Sequence, residues 1–169
     1  METAGFNIPA VVIDAKHGIK QAFPNLIIQI CQYHQKQIIQ RYLTNKPQTA
    51  AGQELKLIAS TLTKTDEQTF TKLLNEWHEQ WKYFLKERTF ARDDKHWWYT
   101  HRRLRAAYRS LKVNLPYLFS YQKYPELNIP NTNNSLEGYF SKLKKQLNNH
   151  NGLKCSRRYK LIETILNSS

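Results

Sequence analysis

Two acids stand where chemistry is feasible. Asp14 closes the β-branched run PAVVID (9–14), and Glu137 falls in the first turn of a helix that follows the Asn-rich loop NIPNTNN (128–134). In parallel sheets, ligands and catalytic groups gather at the carboxyl ends of strands. A strand-borne Asp facing a helix-borne Glu can hold divalent ions for phosphoryl transfer, and hard oxygen ligands suit Mg²⁺ or Mn²⁺. Each acid also has a purely structural reading. Asp14 can cap the turn that follows it, and Glu137, with Asn134 as N-cap, has the spacing of a capping box.

Cys31 and His34 form C-x-x-H at the end of a second apolar run, NLIIQIC (25–31). That is half of a Zn²⁺ site. The remaining candidates, Cys155, His17, His78, His96, His101 and His150, are scattered along the chain. Without a second half-site, a buried thiol and an imidazole on a helix face is the favoured reading of the pair. Arg102, Arg105, Arg109 and Lys112 recur at three- and four-residue intervals and make one basic helix face, with Trp97, Trp98 and Tyr99 at its start. Such a face can follow a phosphate backbone and stack bases, or it can be an ordinary solvated surface. Lys144 and Lys145, with Arg157 and Arg158, add a second patch close in sequence to Glu137.

The charge is concentrated there. The formal net charge is +13 over 169 residues. Residues 86–112 carry nine Lys/Arg against three acids (Glu87, Asp93, Asp94), and residues 142–160 carry seven Lys/Arg and no acid. Clustering of this kind points to a polyanion, and nucleic acid is the expected partner. No apolar run is long enough to span a membrane, no signal-peptide pattern stands at the start, and two cysteines do not make a disulfide framework. A cytoplasmic setting is the expectation. There is no dinucleotide or Walker loop.

Two short strands must position Asp14 and C-x-x-H: 9–14 and 25–31, with a short helix or turn between them stopped by Pro24. A helix over 32–43 follows, giving an α/β beginning. From 48 to about 124 the pattern is helical almost throughout. Leu55, Ile58, Ala59 and Leu62 mark one helix; Phe70, Leu73, Leu74, Trp77, Trp81 and Phe84 a longer one; Leu104, Ala107, Tyr108 and Leu111 a third, over about 98–113. Asn114 and Pro116 punctuate its far end. Leu136, Phe140, Leu143 and Leu147 are the expected buried stripe of the Glu137 helix, and Leu161, Ile162, Ile165 and Leu166 are the apolar positions of the last.

The segments VVIDAKHGIKQAFP, ICQYH, YTHRRLRAAYRSLKVNLPYLF and PNTNNSLEGYFSKLKKQL together resemble the mutator-type DDE transposases of bacterial insertion sequences, in the variant whose members carry a zinc-binding front domain. The resemblance implies an α/β, ribonuclease H-like core with a large all-helical insertion, mostly helical overall. Residues 1–46 would be part of that core, 47–127 the insertion, and 128–169 the return to the core with the C-terminal helix. Asp14 matches the second catalytic acid, Glu137 the third, and Cys31 with His34 the C-x-x-H signature. No residue matches the first acid, since Asp66, Asp93 and Asp94 fall in the insertion. The resemblance therefore implies a truncated C-terminal portion of a transposase catalytic domain. It further implies two Mg²⁺ or Mn²⁺ ions, transposon ends and target DNA as partners, and self-association or pairing with intact transposase. Two other readings stand beside it: a non-catalytic DNA-binding remnant, and a helical RNA- or DNA-binding protein.

Overall fold

The computed structural model describes residues 8–15, 19–92, 95–150 and 152–167. His17, Asp93 and Asp94 lie outside the described residues. The chain divides into two compact units, Met1–Thr132 and Asn133–Ser169. It is mostly helical, with a small two-stranded parallel sheet.

In the first unit, β1 (Ala10–Ile13) and β2 (Ile27–Ile30) pair in parallel, Ala10 opposite Ile27 and Ile13 opposite Ile30. A single 3-10 turn, Ile19–Ala22, lies in the crossover. Helix α1 (Gln32–Leu43) follows β2 after one residue. Its N-cap, Cys31, makes no side-chain cap, so the loop over 128–132 serves instead. Gln32 donates its backbone N–H to Asn131 O at 2.9 Å, and Asn131 Nδ2 donates to Gln32 Oε1 at 3.2 Å.

Helices α2 (Ala50–Thr61) and α3 (Glu67–Trp81) are capped by side chains, Thr49 accepting from the N–H of Gly52 and Asp66 from that of Thr69. The cap, first through the Thr69 backbone and then its hydroxyl, holds the Asp66 carboxyl below its ordinary value. A group with a depressed folded pKa adds stability above its unfolded value, and that stability is lost as pH falls through the folded one. Asp66→Ala should therefore lower the melting temperature by a few degrees at pH 7, with the gap to wild type closing as pH falls below the ordinary carboxylate range, in thermal melts followed by circular dichroism.

One apolar core runs through the unit, from Ile13 and Ile30 of the sheet to Leu55, Phe70, Leu74, Trp77, Leu111, Leu118 and Phe119 of the helices. Phe70 and Phe119 are fully buried, 5.7 Å apart between ring centroids. Burial of side chains of this size, each contributing about 1.5–3 kcal/mol, is what orders so small a sheet.

Two expectations need correction. Trp98 and Tyr99, expected at the start of the third helix, belong to a strand, β4 (Trp97–Tyr99), which pairs antiparallel with β3 (Arg88–Phe90). Trp97, Trp98 and Tyr99 therefore precede the third helix as a strand. That helix, α4 (Arg102–Leu118), also runs past Pro116. Proline removes the one N–H that would bond the carbonyl of residue 112, and α4 continues two residues beyond it.

The carboxyl end of α4 is buried and is closed by side-chain amides. Gln29 Nε2 and Gln32 Nε2 both donate to Leu118 O, at 3.0 and 2.9 Å. Gln29 Oε1 accepts from the N–H of Tyr121 in the short helix α5 (Ser120–Lys123), and Ser120 Oγ donates to Ile28 O. Further along, Gln35 Nε2 donates to Ser110 Oγ and Asn114 Nδ2 to Gln35 Oε1. Gln29, Gln32 and Gln35 are fully buried, and each amide is satisfied.

The second unit holds α6 (Asn134–Asn148) and α7 (Cys155–Asn167), which pack on one another across a turn with Gly152 at φ +91°. That left-handed value favours glycine. Of the stripe expected on α6, Leu143 is buried and Leu147 half-buried, while Leu136 and Phe140 are 54% and 46% exposed. A two-helix hairpin has too little surface to cover four apolar positions. Cys155 is exposed and Cys31 buried.

Candidate functional site

Parallel pairing decides what stands beside Asp14. Because Ile13 faces Ile30, the residues just beyond both strands emerge together. Asp14 follows β1, and His34 lies in the first turn of α1. His34 Nδ1 comes within 3.0 Å of Asp14 Oδ1, both side chains partly open to solvent at 26% and 33%. The pair lines a cleft of about 560 Å³ together with Arg41 and Tyr42 of α1 and Arg103 and Ser110 of α4.

That spacing fits a metal as well as an ion pair. Two ligands about 2.1 Å from one octahedral ion, at right angles, stand roughly 3 Å apart. A carboxylate oxygen and an imidazole nitrogen suit Mn²⁺, and the carboxylate alone suits Mg²⁺. The donors at the strand ends therefore fit a divalent ion. Cys31 is fully buried as the residue before α1. Among the described residues, no group of three or more possible ligands includes a cysteine. His34 stands beside Asp14, an oxygen donor.

Glu137 lies in the second unit, exposed, in the first turn of α6. Its backbone N–H bonds Asn133 O at 2.9 Å, and the N-cap is Asn133, whose side chain makes no cap bond. With Asn133 as N-cap, Glu137 is one residue beyond the capping-box position. Lys144 and Lys145 are exposed on the same helix.

The basic face of α4 is a second cleft, about 640 Å³, in the first unit. Arg102, Arg105 and Arg109 line it with Lys82, Lys86, Tyr99 and Tyr108. Arg105 is fixed in place: its Nη1 donates to Leu85 O at 2.6 Å, and its guanidinium carbon lies 3.5 Å from the Tyr99 ring centroid. Tyr108 is stacked by His78 at 4.6 Å, and Lys112 lies 5.9 Å over the same ring. A hydrogen bond and ion pair to Glu79 raise the pKa of Lys82 above its ordinary value. Among the described residues, no acid lines this cleft. Arg88, on β3, lies 4.0 Å over the Trp97 ring. Trp97 and Trp98 are large exposed aromatics.

No family model, curated protein or solved structure matches this chain. No helix among the described residues is long and apolar enough to cross a membrane.

Arg41, Arg103 and Ser110 are the residues of the first cleft that sequence reasoning missed. Arg103 was hidden by periodicity. It falls between Arg102 and Arg105 but on another side of α4, where its Nη2 donates to Arg41 O at 2.7 Å.

Proposed function

We propose that this chain is part of a DDE-type transposase catalytic domain, cutting and joining DNA strands through divalent metal ions. The observation that carries the reading is Asp14 at the carboxyl end of a parallel strand, 3.0 Å from His34, at a cleft also lined by two arginines. Asp14 and Glu137 are the proposed carboxylate ligands, and His34 orients or joins Asp14. A bound Mg²⁺ or Mn²⁺ would supply charge neutralisation at the phosphate and a more acidic attacking hydroxyl. The chain's own residues would bind the DNA. Arg102, Arg105, Arg109 and Lys112, with Lys144 and Lys145, would contact phosphates along the strand. Transposon ends and target DNA are the proposed partners, with a second copy or intact transposase.

Metal binding is the direct test. Mn²⁺ titration followed by electron paramagnetic resonance should show binding that weakens at least tenfold in Asp14→Ala and in Glu137→Ala, a size usual for losing a metal-supporting group. Unchanged affinity in both variants would remove the enzymatic reading.

A second reading is a DNA-binding protein without cleavage, favoured by the cleft on α4 lined by Arg102, Arg105, Arg109, Lys82 and Lys86. DNA binding that collapses with salt, in a chain indifferent to Mn²⁺, would select it.

A further inference from the structure

The cleft beside Asp14 is lined by two guanidinium groups as well as by that acid. Among the described residues Asp14 is the acid that lines it, and that carboxylate already stands against His34. Arg41 and Arg103 line the same cleft from two different helices. Among the described residues, neither guanidinium lies within ion-pair distance of a carboxylate. A cleft that keeps two guanidinium groups without acids to match is suited to an anion from solution.

The geometry of Arg103 sharpens the point. One arm of its fork is spent on Arg41 O, the carbonyl of a residue in the last turn of α1. That bond fixes the plane of the guanidinium, and the remaining N–H groups are left to donate elsewhere. A planar fork held in advance loses little freedom when it takes two oxygens of one phosphate. The Ser110 hydroxyl and the Tyr42 phenol line the same space, and about 560 Å³ is enough for one nucleotide unit.

We infer that Arg41 and Arg103 form a phosphate clamp that seats one DNA phosphodiester next to the Asp14–His34 pair. The clamp rests on the proposed metal-dependent reading, and it adds the residues that hold the reacting phosphate in register with the ion. The basic face of α4 binds phosphates along the strand. The clamp takes a single one, and its grip depends on the neighbouring ion, because phosphate oxygens would be shared between guanidinium and metal.

That dependence is measurable. Affinity for a fluorescently labelled DNA duplex is determined by anisotropy at constant ionic strength, with and without Mn²⁺. The wild type should bind about tenfold tighter with Mn²⁺. Arg103→Met and Arg41→Met should lose most of this gain, while binding Mn²⁺ itself as the wild type does. Arg103→Lys, which keeps the charge but not the fork, should recover only part of it. Arg109→Met should weaken binding with and without Mn²⁺ and keep the gain. If Arg103→Met retains the full gain, the clamp is wrong, while normal Mn²⁺ binding leaves the metal site standing. A lower melting temperature in Arg103→Met with the gain intact would assign Arg103 to closing α1 alone, and would also overturn the clamp. If the wild type binds no Mn²⁺, both proposals fall.

Discussion

Gln29→Glu should unfold much of the first unit at neutral pH. The Gln29 carboxamide is fully buried, and its nitrogen donates to Ile30 O at 2.7 Å and to Leu118 O at 3.0 Å. Its oxygen accepts from the N–H of Tyr121 at 2.9 Å. Glutamate is nearly the same shape but points an anion at two carbonyl oxygens. Two lost donors to buried acceptors cost about 1–3 kcal/mol each, and the buried charge adds to that. A total of about 4–6 kcal/mol is comparable to the whole stability of a small domain.

The effect has a pH signature. Burial among carbonyls raises the folded pKa of the new carboxyl above its unfolded value of about 4.3. Below that value both states are protonated, and the O–H restores one donor. The loss then sets in as pH rises past the unfolded value and is complete at the folded one. Urea denaturation at pH 7 and pH 4 should show the gap to wild type narrowing at the lower pH. Gln29→Met should cost less, about 2–3 kcal/mol, with no pH dependence of its own. A Gln29→Glu variant within 1 kcal/mol of wild type at pH 7 would mean that the α4 end is closed in some other way.

Removing three charges from the α4 face should change DNA binding more than any single substitution. Arg102, Arg109 and Lys112 are exposed, whereas Arg105 is tied to Leu85 O and the Tyr99 ring and is left in place. Each phosphate contact contributes about 0.9 to the slope of log affinity against log salt. The variant Arg102→Gln/Arg109→Gln/Lys112→Gln should therefore flatten the slope by about 2.7 and weaken binding roughly a hundredfold near 0.15 M salt. Anisotropy titrations across a salt series would measure both. An unchanged slope would place the DNA on another surface.

What could be read from the sequence depended on pattern length. β1, β2 and α1 stand where β-branched runs and apolar spacing put them, and α1 begins and ends at the expected residues, Gln32 and Leu43. The hairpin escaped because its strands are three residues each, RTF and WWY, too short for an alternating pattern to show. Trp97–Tyr99 was absorbed into the helix that follows. The glutamine bonds escaped because Gln29, Gln32 and Gln35 look like solvent-facing polar positions, and only the buried end of α4 makes them interior. At the site, Asp14 and His34 were both visible, but the i, i+3 spacing drew attention to Cys31. Their closeness follows from two parallel strands ending side by side, a relation that spacing along the chain does not express. Arg41 and Arg103, far apart in sequence, meet only through packing of α1 on α4.

The four indoles fall into two optical classes. Trp77 is 2% exposed with its N–H on Ala51 O, and Trp81 bonds Glu54, whereas Trp97 and Trp98 stand 44% and 39% open on the hairpin. Iodide would quench the hairpin pair and spare Trp77. Intrinsic fluorescence thus carries two separable signals, a blue-emitting one from the interior and a red-shifted one from the rim of the basic surface, so unfolding and strand contact can be followed in one unlabelled sample.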